Sequence, residues 1–203
     1  GADATLVVAS GAGQNVFIAM NNMASGLATG TLRWTEVGTL SLAATLNAGS
    51  IYSSSGLVVS GSAAAIGPFV PHHFDVEVTQ GCAASGKAAF TYSGQPFTVK
   101  VTALNADGAT TVNHDGHSAM SAYFAKAATL SGVSSTGAGG GLTGVAILAS
   151  DFTKGVATVT PTYAFTTKTT APASITMSAA ENAPGTVTSS SGNNGVVRVR
   201  SGR

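Results

Sequence analysis

Apolar residues recur at every second position through most of the 203-residue chain, β-branched residues crowd these runs, and Gly, Ser and Asn separate them. That period predicts short strands with one face toward a core and the other toward solvent. Leu40, Leu42, Ala44 and Leu46 share one face, and further on Phe74, Val76 and Val78 oppose Asp75, Glu77 and Thr79. The stretch FTVKVTALNADGATTV sets Phe97, Val99, Val101 and Ala103 against Thr98, Lys100 and Thr102, then closes in an Asp107-Gly108 turn. Strands are also predicted at 124–130, 155–165, 173–179 and 196–200, and single helical turns at 118–125 and 149–153. The expected fold is all-β, with tandem immunoglobulin-like β-sandwiches.

Pro68 and Pro71 follow a Ser/Gly/Ala-rich stretch at 53–67, and proline restricts the chain on both sides of itself. The predicted organisation is a short N-terminal β-sandwich over 1–67, a hinge at 68–71 and an immunoglobulin-like β-sandwich over 72–203. The first is short for a sandwich of ~100 residues, so it is expected to lack strands, and the second is ample. An incomplete sandwich leaves open strand edges, which makes self-association by strand addition an expectation. The Ser/Gly stretches 131–144 and 185–195 are predicted to be least ordered. In the second sandwich, 74–78 and 196–200 are expected to pair in one sheet, so that pulling the ends shears them together. Gly1-Ala2-Asp3 reads as the cut edge of a longer parent.

Composition narrows the partners. Only 8% of residues are charged, nine Lys and Arg against eight Asp and Glu, giving a formal net charge of +1. Phosphate backbones are bound by clustered basic surface, so nucleic acid is not an expected partner. The one local basic group is Arg198, Arg200 and Arg203. Solubility carried by Ser, Thr, Asn and Gly points to an extracellular compartment. No apolar run approaches the ~20 residues of a membrane span. Cys82 is the single cysteine, expected as a free buried thiol unless it pairs with a partner.

Candidate chemistry centres on histidine. His72 and His73 are adjacent, and neighbours on a strand project to opposite faces, which makes a shared ion awkward. In NHDGH, His114, Asp115 and His117 could gather a divalent ion if the first pair closed the shell. The simpler reading is a polar hinge at Pro71 and a hairpin turn at Asp115-Gly116. Asp75 and Glu77 could hold calcium with Asp107 or Asp115, against a plain solvated face. GHSAM at 116–120 has Met120 where a nucleophile elbow needs glycine. GGGLTG at 139–144 fits GxGxxG but lacks a following helix in this reading. The eight acids offer no glycosidase pair in an aromatic setting. Trp34 is expected in the first core, and Tyr52, Tyr92, Tyr123 and Tyr163 are scattered. A Lys–Asn cross-link would need Lys100 buried, whereas alternation turns it outward. The expectation is therefore no enzyme, no catalytic, cofactor-binding or metal-ligating residues, and no cofactor.

Several segments carry a family likeness: FVPHHFDV, FTYSGQPFTVKVTALNADGATT, FAKAATLSG at 124–132, the closing VRVRSGR, and RWTEVGTLSLAATL at 33–46. Together they resemble the module of MshQ-like proteins, which are encoded with mannose-sensitive haemagglutinin type IV pilus systems. VRVRSGR looks like the start of that module's terminal GRLRL strand, and His72 stands where an acidic residue is expected. The resemblance implies a secreted, surface-exposed bacterial protein with a part in pilus-linked attachment, and it supplies no catalytic residues. The partners it implies are pilus or cell-surface proteins and host or environmental glycans. A non-catalytic structural or adhesive module is the expectation, with a carbohydrate-binding module or a self-assembling fibre subunit as alternatives.

Overall fold

The alternation is written into strands nearly throughout. The computed structural model describes residues 4–10, 15–20, 32–46, 59–84, 86–117, 124–182 and 187–202. The chain divides into two compact units, Gly1–Phe69 and Val70–Arg203. In the first, β1 (Ala4–Ser10), β2 (Asn15–Met20), β3 (Gly38–Leu46) and β4 (Ser60–Phe69) form one antiparallel sheet in the order β2-β1-β3-β4. Val37 and Leu40 are buried, Leu42 is half-buried and Ala44 is exposed, so the predicted inward face weakens along β3. Trp34, expected in this core, is half-buried. The described residues thus supply one sheet of the short sandwich expected here. Residues 60–69 have a loop-like composition, but their small side chains make an exposed edge strand that takes in Pro68 and Phe69 of the predicted hinge.

The second unit is a β-sandwich. Its strands are β5 (His73–Thr79), β6 (Cys82–Ala84), β7 (Lys87–Tyr92), β8 (Thr98–Leu104), β9 (Ala128–Ser134), β10 (Gly140–Thr143), β11 (Ala146–Ile147), β12 (Val156–Val159), β13 (Thr162–Phe165), β14 (Ala173–Glu181) and β15 (Gly195–Arg200). One sheet has the order β12-β8-β5, the other β11-β9-β14-β15-β7-β6, and β10 pairs with β13. The start of the unit is shared between the sheets: β5 lies antiparallel to β8, while β7 runs parallel to the last strand, β15. The runs β5-β8-β12 and β9-β14-β15 follow the A-B-E and C-F-G orders of immunoglobulin-like sandwiches. Phe74, Val76, Val99 and Val101 from one sheet meet Leu130, Ile175, Met177, Val197 and Val199 from the other in a single core.

Two expectations are corrected. Residues 74–78 and 196–200 do not pair; they lie in facing sheets, and the strand paired in parallel with β15 is β7, which alternation alone does not reveal. The stretch 131–144, expected to be loose, contains the end of β9 and all of β10. Glycine makes that approach feasible, because a Cβ at Gly140 would lie 2.6 Å from the Tyr163 hydroxyl and 2.7 Å from the Ala164 carbonyl. Of the predicted helical turns, 149–153 contains a 3-10 turn at Ala149–Asp151, and 118–123 lies outside the described residues, as do Tyr52, Met120 and Tyr123. The Asp107-Gly108 turn is present, with Asn105 Oδ1 accepting from the N–H groups of Asp107 and Ala109.

Candidate functional site

The histidine residues occupy one region of the second unit. β5 begins at His73 and His72 sits in the bend before it, so strand alternation starts too late to separate the rings. Their Nδ1 atoms are 2.9 Å apart and the rings meet edge-on at 5.2 Å. This reverses the expected divergence. Among the described residues, no group of three or more His, Cys, Asp and Glu is placed to hold a metal ion.

His114 has the opposite surroundings. Its ring lies edge-on to Phe152 at 4.6 Å and to Phe74 at 5.9 Å, and those phenyl rings stack at 6.0 Å. It is fully buried, and neither ring nitrogen has a hydrogen-bond partner among the described residues. Burial away from polar groups disfavours the imidazolium and lowers the pKa from 6.5 to about 4. NHDGH is consequently no free hairpin turn. The Gly116 N–H donates to the Phe152 carbonyl, the Gly155 N–H to the His114 carbonyl, and Asp115 accepts from the N–H groups of His117 and Lys154. A Cβ on Gly116 would strike the Ala149 carbonyl, so this close docking requires glycine.

The other charged candidates have local partners. Glu77 pairs with Lys100 at 2.7 Å on an exposed face, which leaves Lys100 outside the core. Asp75 Oδ1 accepts from Asn193 Nδ2 at 3.4 Å. The half-buried Cys82 thiol donates to Gln95 Oε1 at 3.3 Å. Glu181, with one carboxylate oxygen buried and unpartnered, is shifted upward by desolvation, against a downward pull from Lys126.

A different cluster forms where β7 meets β15. The register sets Thr91 opposite Val199, both buried, and Tyr92 opposite Arg200, both turned outward. Phe90 therefore shares the outer face, edge-on to Tyr92 at 5.0 Å, and the Arg200 guanidinium lies over its ring, 4.9 Å from the centroid. Gln80 ties the strands together. Its Oε1 accepts from the Arg198 N–H at 3.0 Å and the Thr91 hydroxyl at 3.2 Å, while its Nε2 donates to the Val196 carbonyl at 3.0 Å. The Ser93 N–H adds a bond of 2.7 Å to the Arg200 carbonyl.

Two adjoining hollows open on this face. One, of about 220 Å3, is bounded by Tyr92, Thr169, Thr170, Pro172, Arg200 and Ser201. The other, of about 170 Å3, lies between Phe90, Pro172, Arg198 and Arg200. The Thr169 N–H donates to the Ser201 hydroxyl at 2.8 Å and fixes the rim. In the sequence Arg198 and Arg200 stand out as a basic group, whereas Tyr92 is one of several scattered tyrosines and Phe90 carries no signal, since the outward i, i+2 pairs of two strands become one site only when the strands are neighbours.

No helix among the described residues is long and apolar enough to cross a membrane. No curated protein matches the chain. The family described as DUF6701, third domain, matches residues 36–195, a span that includes β3 through β14, Phe90, Tyr92 and the 169–172 rim, and ends just before Arg198 and Arg200. With most of its length inside that match, the chain belongs to the DUF6701 third-domain family.

Proposed function

We propose that this chain is a non-catalytic structural and adhesive module of a bacterial cell-surface or pilus-associated protein, of the MshQ-like kind that its sequence resembles. The observation that carries this reading is the parallel β7–β15 pairing. Opposed pulls on the start of β7 and the end of β15 load the hydrogen bonds between them in shear, so they must fail together. Gln80 and Ser93 reinforce that seam. Such a module transmits tension between neighbours, as a spacer in a surface protein must. The chemistry available fits this use, because the buried His114 is sealed between phenyl rings rather than aimed at a cleft.

A second reading, carbohydrate binding, is favoured by the outward Tyr92 beside Arg200. Both readings put the module outside the cell. Antibody fragments raised against the purified chain should label intact cells of the source bacterium and reduce their attachment to surfaces. Absence of labelling on intact cells, with labelling after lysis, would overturn the proposal.

A further inference from the structure

Arg198 and Arg200 have no carboxylate within ion-pairing distance among the described residues, although the chain carries nearly as many acids as bases. Val197 and Val199 are buried, so alternation turns both guanidinium groups out on the same side of β15. Arg200 is held by a ring face, not by an anion. Stacking uses the plane of the guanidinium and leaves its in-plane N–H donors available, in the fork geometry that fits a carboxylate. Beside it, Tyr92 is 45% exposed, far more than a tyrosine serving the core would be. An outward ring next to a hollow rimmed by hydroxyl groups combines an apolar platform with polar contacts.

We infer that the β7–β15 face binds a carboxylate-bearing sugar, with Arg200 and Arg198 on the carboxylate and Tyr92 against the C–H face of the ring. The inference rests on the attachment reading above and names its ligand class. A hollow of about 220 Å3 is smaller than the ~300–1,000 Å3 of pockets for drug-sized ligands, so it takes one residue of a polymer rather than an enclosed small molecule. A uronic-acid polysaccharide repeats that residue many times. Weak single-site contacts then add through multivalency when several copies of the module face the same polymer. The backbone beneath the arginines is already fixed by Gln80, so little ordering accompanies binding.

The test is calorimetric titration of the whole chain with galacturonate oligomers, galactose oligomers of equal length and inorganic phosphate. The uronate oligomer should bind at least about tenfold more tightly than the neutral one and weaken as salt rises. Arg200→Ala should lower its affinity about tenfold or more, Arg200→Lys less, and Tyr92→Ala about threefold to tenfold. Lys126→Ala, on a different strand boundary, should change nothing. Each variant is admitted only with an unchanged thermal melt, and Arg198→Ala replaces Arg200→Ala if the latter fails to fold. Equal binding of neutral and uronate oligomers overturns the inference. So does phosphate binding of equal strength, undiminished binding by the arginine variants, or no uronate binding at millimolar concentration. Cell-surface labelling is independent of all these outcomes, so loss of the sugar site leaves the attachment reading standing on its own test.

Discussion

His114 and Arg200 belong to one sandwich and receive opposite treatment from it. His114 is enclosed by Phe74 and Phe152 with neither nitrogen bonded among the described residues, so the fold keeps it neutral and uses the ring as apolar volume. Arg200 lies on an outer face over Phe90, beside an exposed Tyr92, with no acid among the described residues paired to its charge. An aromatic neighbour thus has contrary meanings in the two places. In a dry interior it strips a titratable group of its charge, whereas at the surface it orients a permanent cation while leaving its donors to solvent or ligand. Burial, more than residue type, separates a packing group from a binding group here.

The harshest way to break the comparison is to remove one side of it. Deleting 196–203 takes away nearly all of β15, which carries the buried Val197 and Val199 and the hydrogen bonds to both β14 and β7. The second unit should lose its cooperative melt or associate through the vacated edge, as measured by thermal melting and size-exclusion chromatography. A monomeric, equally stable truncation would show that β15 is dispensable.

The next effect sharpens the other side. The His114 pKa falls from 6.5 to about 4 in the fold, so the unfolded chain binds the proton first. Stability from the neutral ring is fully present above about pH 6.5 and is lost as pH falls through about 4, by about 3 kcal/mol in total. Glu181 has the opposite sign, because its raised folded pKa favours the fold at low pH and loses that contribution as pH rises. The difference between wild type and His114→Leu isolates the histidine. Denaturant unfolding from pH 7 to 4 should give the variant the shallower decline, and parallel curves would mean that His114 is reached by water or a proton partner.

Gln80→Ala loosens the arginine face without touching His114. Losing its bonds to Val196, Arg198 and Thr91 should cost about 1–3 kcal/mol and weaken uronate binding, while the pH dependence from His114 stays as it was. Lys100→Ala sets the lower bound. Its exposed pair with Glu77 should be worth no more than about 1 kcal/mol, measured by the same unfolding curves.

Much of this architecture is legible in sequence, for a definite reason. β5, β8, β14 and β15 each bury one face, so they write period two into the chain: Phe74 and Val76, Val99 and Val101, Ile175 and Met177, Val197 and Val199 all point inward. Alternation specifies faces and says nothing of neighbours, which is why the pairing of β15 with β7 was not readable and Tyr92 looked isolated. NHDGH misled by composition. Four polar or charged residues around a glycine read as an exposed turn, whereas the determining contacts come from Phe74 and Phe152, 40 and 38 positions away by subtraction of their residue numbers. The register of a loop against a distant loop leaves no local period. The one local hint was Gly116, whose lack of a side chain lets the segment reach Ala149.

The contrast between the two regions is most directly tested by mapping backbone amide shifts of the whole chain during titration with a galacturonate oligomer. The account predicts saturable changes at residues 90–92, 169–172 and 198–201, with residues 72–74 and 113–117 unmoved. Changes centred on the histidine residues, or none on β7 and β15, would contradict it.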